Sequence, residues 1–269
     1  MRSVLGIDAA WTDREPSGVA LIADDGSGWR LMDVAPSYMA FLQPLSVAEP
    51  VVRHRGSAPD AAAIINAASE RIGLSIDIVA IDMPLALTPI IGRRTSDNLV
   101  ATAYGAKHAG THTPSETRPG KLSDELRIAF QGIGYPLAVS HPIGHALIEV
   151  YPHPALIELA AAERRLPYKV SKVGKYWPEL TPGMRREKLL EVWRQIISLL
   201  DTMISGVAAA LPLPAIAARG HEMKAFEDSL DAVVCAWVGA CVLDGRAREY
   251  GDDMSAIWVP EVWQRRTER

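Results

Sequence analysis

Two short apolar runs in this chain, Val4 to Ile7 and Ile78 to Ile81, each stop at an aspartate: Asp8 and Asp82. The second belongs to Ile76–Asp82, apolar apart from Asp77, the pattern of a strand buried on both faces. A carboxylate on the end of a buried strand is costly unless a proton, hydrogen bonds or a cation compensates it. Glu149 closes a third run, Ala146-Leu147-Ile148-Glu149, and Asp228 and Asp231 open an almost uncharged helical stretch. Carboxylates so placed in distant parts of one chain point to one shared cation site, and an oxygen-rich site of that kind suits Mg2+ or Mn2+.

The fold class follows from the order of elements. Val4–Asp8, Ser17–Ala23 and Trp29–Val34 read as strands, the last two separated by the turn cluster Asp24-Asp25-Gly26-Ser27-Gly28, which predicts an antiparallel meander. Residues 35 to 57 are Pro-rich and irregular. Ala61, Ile64, Ile65, Ala68 and Ile72 recur at helical spacing, and Gly73 stops that helix. The strand at 76–82 then completes a crossover, which favours a parallel neighbour. Further along, the pattern predicts helices over 95–106 (capped by Thr95 or Ser96), 123–132, 153–165, 184–204 and 223–250. It predicts strands over 146–151 and 255–259. The result is an α/β chain, read as one domain over 1–269 with insertions at about 85–145 and 165–222.

Composition narrows the function. The 269 residues carry 28 basic and 32 acidic side chains, a net charge of −4, and duplex binding usually leaves a basic surplus. Cys235 and Cys241 sit six apart in an apolar helical stretch and read as free thiols in a reducing compartment. With no signal-peptide pattern and no apolar run of membrane-spanning length, a cytoplasmic protein without a membrane partner is expected.

Strand parity places Asp8 on the face of Gly6 and Val4, and Asp82 on the face of Ala80 and Ile78. Sites in open α/β sheets form at the carboxyl ends of parallel strands, where both aspartates stand. Asp228 and Asp231, three apart, share one helical face. Each residue also has a plain structural reading: a turn former or helix cap for the aspartates, a solvated strand end for Glu149. Arg93-Arg94 reads either as a phosphate clamp or as a loop pair with an ion pair to Asp97. Lys169, Lys172 and Lys175 interleave with Tyr168, Tyr176 and Trp177, which suits single-strand stacking or an ordinary loop whose aromatics pack inward. His153 reads either as a proton shuttle or as a helix-start partner. Pro142 and Gly144 break any helix between His141 and His145, so zinc there is not expected.

Gly6-Ile7-Asp8, Ile81-Asp82-Met83-Pro84, Gly92-Arg93-Arg94 with Asp97, Glu149-Val150-Tyr151-Pro152-His153, Tyr168-Lys169 and Asp228-x-x-Asp231-Ala232 occur in this order. The ordered set resembles the DUF429 family, described as predicted RNase H-like nucleases, over most of the chain. The resemblance implies an RNase H-like five-stranded mixed sheet, three antiparallel strands followed by parallel additions, flanked by helices. It also implies an acidic cluster, Asp8, Asp82, Asp228 and Asp231, binding divalent metal, with Asp8, Asp82, Glu149 and Asp231 catalytic. In two-metal hydrolysis, ions ~4 Å apart clamp the attacking water and the leaving oxygen. Asp8 would bridge them, Asp82 and Asp231 would each hold one, Glu149 or Asp228 would complete a shell, and Arg93, Arg94 and Lys169 would neutralise phosphate. The chain departs from the pattern at Asp8-Ala9-Ala10-Trp11, with a bulky aromatic beside the site and Asp13-Arg14-Glu15 ahead of Gly18.

The expected function is a metal-dependent phosphodiesterase acting on single-stranded or short nucleic acid or on nucleotides. The alternative is a non-hydrolytic nucleotide- or ligand-binding regulatory protein on the same fold. Ala9-Ala10-Trp11-Thr12 holds no glycine, which counts against a phosphate loop after the first strand.

Overall fold

The computed structural model describes residues 1–43 and 53–261, so 44–52 of the Pro-rich stretch lie outside the described residues. The described residues form one mixed sheet of seven strands in the order β3-β2-β1-β4-β5-β7-β6. β1 (Arg2–Asp8), β2 (Gly18–Asp24) and β3 (Trp29–Ala35) make the expected antiparallel meander. β4 (Ile78–Ile81), β5 (Ala146–Val150) and β7 (Ala256–Pro260) join in parallel, and β6 (Ala247–Gly251) returns antiparallel to β7.

The sheet is wider than the five strands expected. β6 comes from residues that apolar periodicity gave to the end of a helix. That helix, α9 (Gly220–Leu243), stops because Gly245 takes φ +65°, open to glycine without strain. The Gly245 N–H donates to the Val242 carbonyl (3.0 Å) and the Arg246 N–H to that of Cys241 (2.7 Å), closing the last turn and releasing the chain into β6.

Helices cover both faces of the sheet. α2 (Ala61–Ile72) is capped by the Asp60 side chain, which accepts from the Ala63 N–H at 2.9 Å, and it ends at Gly73 with φ +69°. With α4 (Lys121–Gly132) it buries Ile64, Ala68, Leu126 and Phe130 against Leu5, Ile7, Val79, Ile81 and Leu147. On the opposite face α5 (Pro152–Leu159), α7 (Pro182–Met203) and α9 bury Leu156, Trp193, Leu200 and the Ala232–Val242 stretch against Val4, Ile78, Ala80, Ile148 and Val150. α5 is shorter than the expected 153–165, because Ala161 turns to φ +46° behind it. α1 (Tyr38–Leu42) lies in the stretch expected to be irregular, and two short helices, α6 (Val173–Tyr176) and α8 (Val207–Ala210), flank α7. α3 (Thr95–Tyr104) is capped through Arg94 and Asp97 rather than Thr95 or Ser96.

α9 lies unusually close to the sheet. A Cβ added to Gly6 would stand 2.2 Å from the Ala232 carbonyl oxygen, and one on Gly18 2.0 Å from that of Asp228. From the helix side, a Cβ on Gly239 would stand 2.5 Å from Val4 Cγ1. These glycines let backbone meet backbone, and the contact brings the first half of α9 to the carboxyl end of β1.

Candidate active site

β1 and β4 pair in parallel with Ile7 opposite Ile81, and the Asp82 N–H donates to the Ile7 carbonyl at 2.9 Å. Asp8 and Asp82 therefore leave adjacent strands side by side. Both follow the parity of Val4, Ile78 and Ala80, so both face α9. They are half-buried, and among the described residues neither side chain has a hydrogen-bond or ion-pair partner.

α9 presents Lys224, Glu227, Asp228 and Asp231 on one face. Glu227, Asp228 and Asp231 are buried. The Tyr168 hydroxyl donates to Asp231 Oδ1 (2.8 Å), and Lys169 Nζ pairs with Asp231 and with Glu227 Oε1 (3.5 Å). Lys224 Nζ pairs with Asp228 and with Glu227 Oε1 (3.4 Å), while the Val170 N–H donates to Glu227 Oε2 (2.6 Å). Trp193 holds the Tyr168–Val170 segment in place, its indole N–H donating to the Tyr168 carbonyl at 2.8 Å. Five carboxylates thus meet two ammonium groups.

The imbalance shows in the protonation equilibria. Loss of hydration, then the Asp231 charge, pushes the Asp8 carboxyl up to about 6. Burial, then Asp8, pushes Asp228 up to about 8 and Asp82 well above the usual carboxylate range. Burial works against charge on Lys169 and Lys224, but the surrounding carboxylates outweigh it and raise both. Asp228 Oδ2 is buried without a partner.

These shifts set a pH dependence of stability. The folded carboxyl values lie above the unfolded value of about 3.9, so folding takes up protons and stability declines as pH rises through the folded values. His54 and His153, both lowered by burial, act in the opposite sense, but only below about 6.5. The raised lysines act only above about 10.4. Between pH 6.5 and 8 the melting temperature of the metal-free protein is expected to fall, and Asp228→Asn to flatten the fall. A melting temperature that holds steady or rises over that interval contradicts this arrangement of charges.

Not every expected site residue joins the cluster. Glu149 pairs in register with Ile81, so it leaves the sheet on the face opposite α9, where it lines one small cavity with Asp82. There it accepts two hydrogen bonds from Arg94, NH1 to Oε2 at 2.5 Å and NH2 to Oε1 at 2.7 Å, and one from the Leu85 N–H at 2.7 Å. Arg94 also binds Asp97, Nε to Oδ2 and NH2 to Oδ1, both at 3.0 Å. Its side chain is 8% exposed and fully engaged, so the ion-pair reading of Arg94 is the one realised and no donor is left for a phosphate. Arg93 braces a loop, donating to Asn98 Oδ1 (2.7 Å) and Thr113 Oγ1 (3.1 Å). His153 is buried edge-on between Tyr151 and Tyr168, with Nδ1 unpartnered.

The sequence reading missed Lys224 and Glu227. Their signal was available: 224, 227, 228 and 231 are spaced as one helical face. Among the described residues, no three His, Cys, Asp or Glu side chains stand closely enough to coordinate one ion as placed.

A family model described as "Protein of unknown function (DUF429)" matches residues 6–255. No curated protein and no solved structure matches the chain.

Proposed function

Because the chain belongs to the DUF429 family, whose description assigns no activity, we propose its function from the site: a divalent-metal-dependent phosphodiesterase, nuclease-like, acting on nucleic-acid or nucleotide phosphodiesters. One observation carries the reading. Asp8 and Asp82 stand together at the ends of adjacent parallel strands, and among the described residues neither side chain has a hydrogen-bond or ion-pair partner. The strand order β3-β2-β1-β4-β5, antiparallel then parallel, supports an RNase H-like core extended by β7 and β6.

A hard cation, Mg2+ or Mn2+, fits these oxygen donors. Asp8 and Asp82 would hold it, and the unpaired Asp228 Oδ2 is a further free donor. When bound, such an ion supplies a Lewis acid and an activated water. The chain's own groups do the rest. Lys169 and Lys224 pair with Asp231 and Asp228 and set positive charge beside the carboxylates, where a phosphate oxygen gathers negative charge. Tyr168 fixes the orientation of Asp231.

The test is hydrolysis of a chromogenic phosphodiester, single-stranded RNA, single-stranded DNA and a hybrid, with Mn2+ or Mg2+. Asp8→Asn and Asp82→Asn are each expected to lower the rate about a hundredfold or more, as removal of a group acting on developing charge does. Activity that persists in both variants sinks the reading.

A second reading, a non-hydrolytic nucleotide- or ligand-binding regulatory protein, is favoured by one feature. Lys169 and Lys224 already neutralise much of Asp231, Glu227 and Asp228. It predicts thermal stabilisation by a nucleotide without metal.

A further inference from the structure

A cleft of about 550 Å³ opens at the start of α9, lined by Arg14, Arg53, His54, Arg55, His221 and Lys224, with Glu15 the one carboxylate on its wall. Its side chains come from three separate segments: the β1–β2 connection, the approach to α2, and the first turns of α9. In a chain with a net charge of −4, this local surplus of cations runs against the overall balance.

The cleft is built rather than accidental. The Gly56 N–H donates to the Arg14 carbonyl at 3.2 Å, and a Cβ on Gly56 would stand 2.4 Å from Arg14 C and from Asp13 O. The two arginine-bearing segments are therefore pinned backbone to backbone. His54 is oriented by Ser37, whose Oγ lies 3.1 Å from its Nδ1. His221 is close enough to disfavour the charged form of His54, after burial, which has the larger effect. Among the described residues, Arg14, Arg53, Arg55 and His221 form no ion pair with a carboxylate. Converging cations repel one another, so an external anion would relieve such an arrangement. The positive end of the α9 dipole acts in the same direction. Arginine forks suit phosphate oxygens.

Lys224 lines this cleft and also pairs with Asp228 and Glu227. Lys224 thus stands between the cleft and the carboxylate cluster. We infer that the cleft is a phosphate subsite, holding the backbone phosphate of a single-stranded nucleic acid that neighbours the one presented to Asp8 and Asp82. The second half of that statement rests on the phosphodiesterase reading, while the binding of phosphate in the cleft does not.

The experiment is fluorescence anisotropy of a labelled twelve-nucleotide oligothymidylate with the full chain, in chelator and without divalent metal, at several KCl concentrations. Arg53→Gln/Arg55→Gln is compared with wild type and with Lys188→Gln, an exposed position on α7. Both arginines are exposed, so the double variant is expected to melt with wild type. It is expected to bind at least tenfold more weakly, with a salt slope shallower by roughly 1.4, because each arginine that no longer neutralises a single-strand phosphate removes about 0.7 from the slope. Lys188→Gln is expected to bind as wild type does. Inorganic pyrophosphate is expected to displace the oligonucleotide. Undiminished binding by the double variant, no salt-dependent binding by wild type, or an oligonucleotide that pyrophosphate cannot displace overturns the inference. The same preparations are then assayed with Mn2+. Binding that depends on Arg53 and Arg55 without hydrolysis by wild type keeps the subsite and removes the phosphodiesterase reading. Hydrolysis whose KM is unchanged in the double variant removes the subsite and keeps the enzyme.

Discussion

Gly6→Val is expected to yield no folded protein. At this position a Cβ would lie 2.2 Å from the Ala232 carbonyl oxygen and 2.4 Å from the Ala236 amide nitrogen. Those are backbone atoms of a buried helix, so no side-chain rotation relieves the collision. Overpacking that a core can adjust to costs ~1–3 kcal/mol. Here β1 and α9 must separate, and that opens the tightly packed Ala232–Val242 face, against a total stability of ~5–15 kcal/mol. Gly6→Ala brings the same Cβ without the two further methyls and is expected to lose at least about 3 kcal/mol, which lowers the melting temperature by roughly 6–12 °C or more. Gly92→Ala, where a Cβ meets nothing within 4 Å, is the matched control and is expected to be nearly neutral. Soluble yield and circular-dichroism melting decide it. A Gly6→Ala protein that melts with wild type would mean that α9 does not lie on β1 at this distance. The spacing matters beyond stability, because it carries Asp228 and Asp231 to Asp8.

Arg94→Ala is expected to cost about 3–5 kcal/mol, the range for breaking a buried ion pair by removing one partner. The guanidinium binds Glu149 twice, Asp97 twice and the Leu85 carbonyl once, at 2.5 to 3.0 Å. Its removal leaves two carboxylates, buried to 3% and 1% exposure, without their countercharge. Thermal or urea unfolding of the variant measures the loss. Adding Glu149→Leu to Arg94→Ala is expected to recover part of it, since one of the stranded charges is then gone. Were Arg94 a phosphate ligand instead, Arg94→Ala would leave stability untouched and change KM alone.

Much of the sheet could be read in advance because its signals are local. β1, β2, β3, β4 and β5 are apolar or turn-bounded runs, and α2 carries its own cap and stop in Asp60 and Gly73. β6 could not be read that way. Its Arg248 and Glu249 are exposed, so the strand bears no apolar alternation and exists only because β7 offers an edge to pair with. Gly245 after Asp244 did mark the helix end, and the apolar run before it obscured the mark.

In the site, the face of Asp8 and that of Asp82 on their own strands followed from counting by twos, and the parallel β1–β4 register made the two faces one. That Glu149 leaves the sheet on the face opposite α9 needed the β4–β5 register, Ile81 opposite Glu149, which no single strand encodes. By itself, then, the sequence determined most of the strands and helices, the face of its own strand on which each of Asp8 and Asp82 lies, and that Asp228 and Asp231 share a helical face. These depend on periodicities of 2 and 3.6 residues, set by local backbone geometry. Only the tertiary structure decided that Arg94 belongs to Glu149, 55 residues away, and Lys169 to Asp231, 62 residues away. A buried charge takes whichever opposite charge the topology brings within reach, and that choice is made by strand order and helix packing rather than by anything local to either residue.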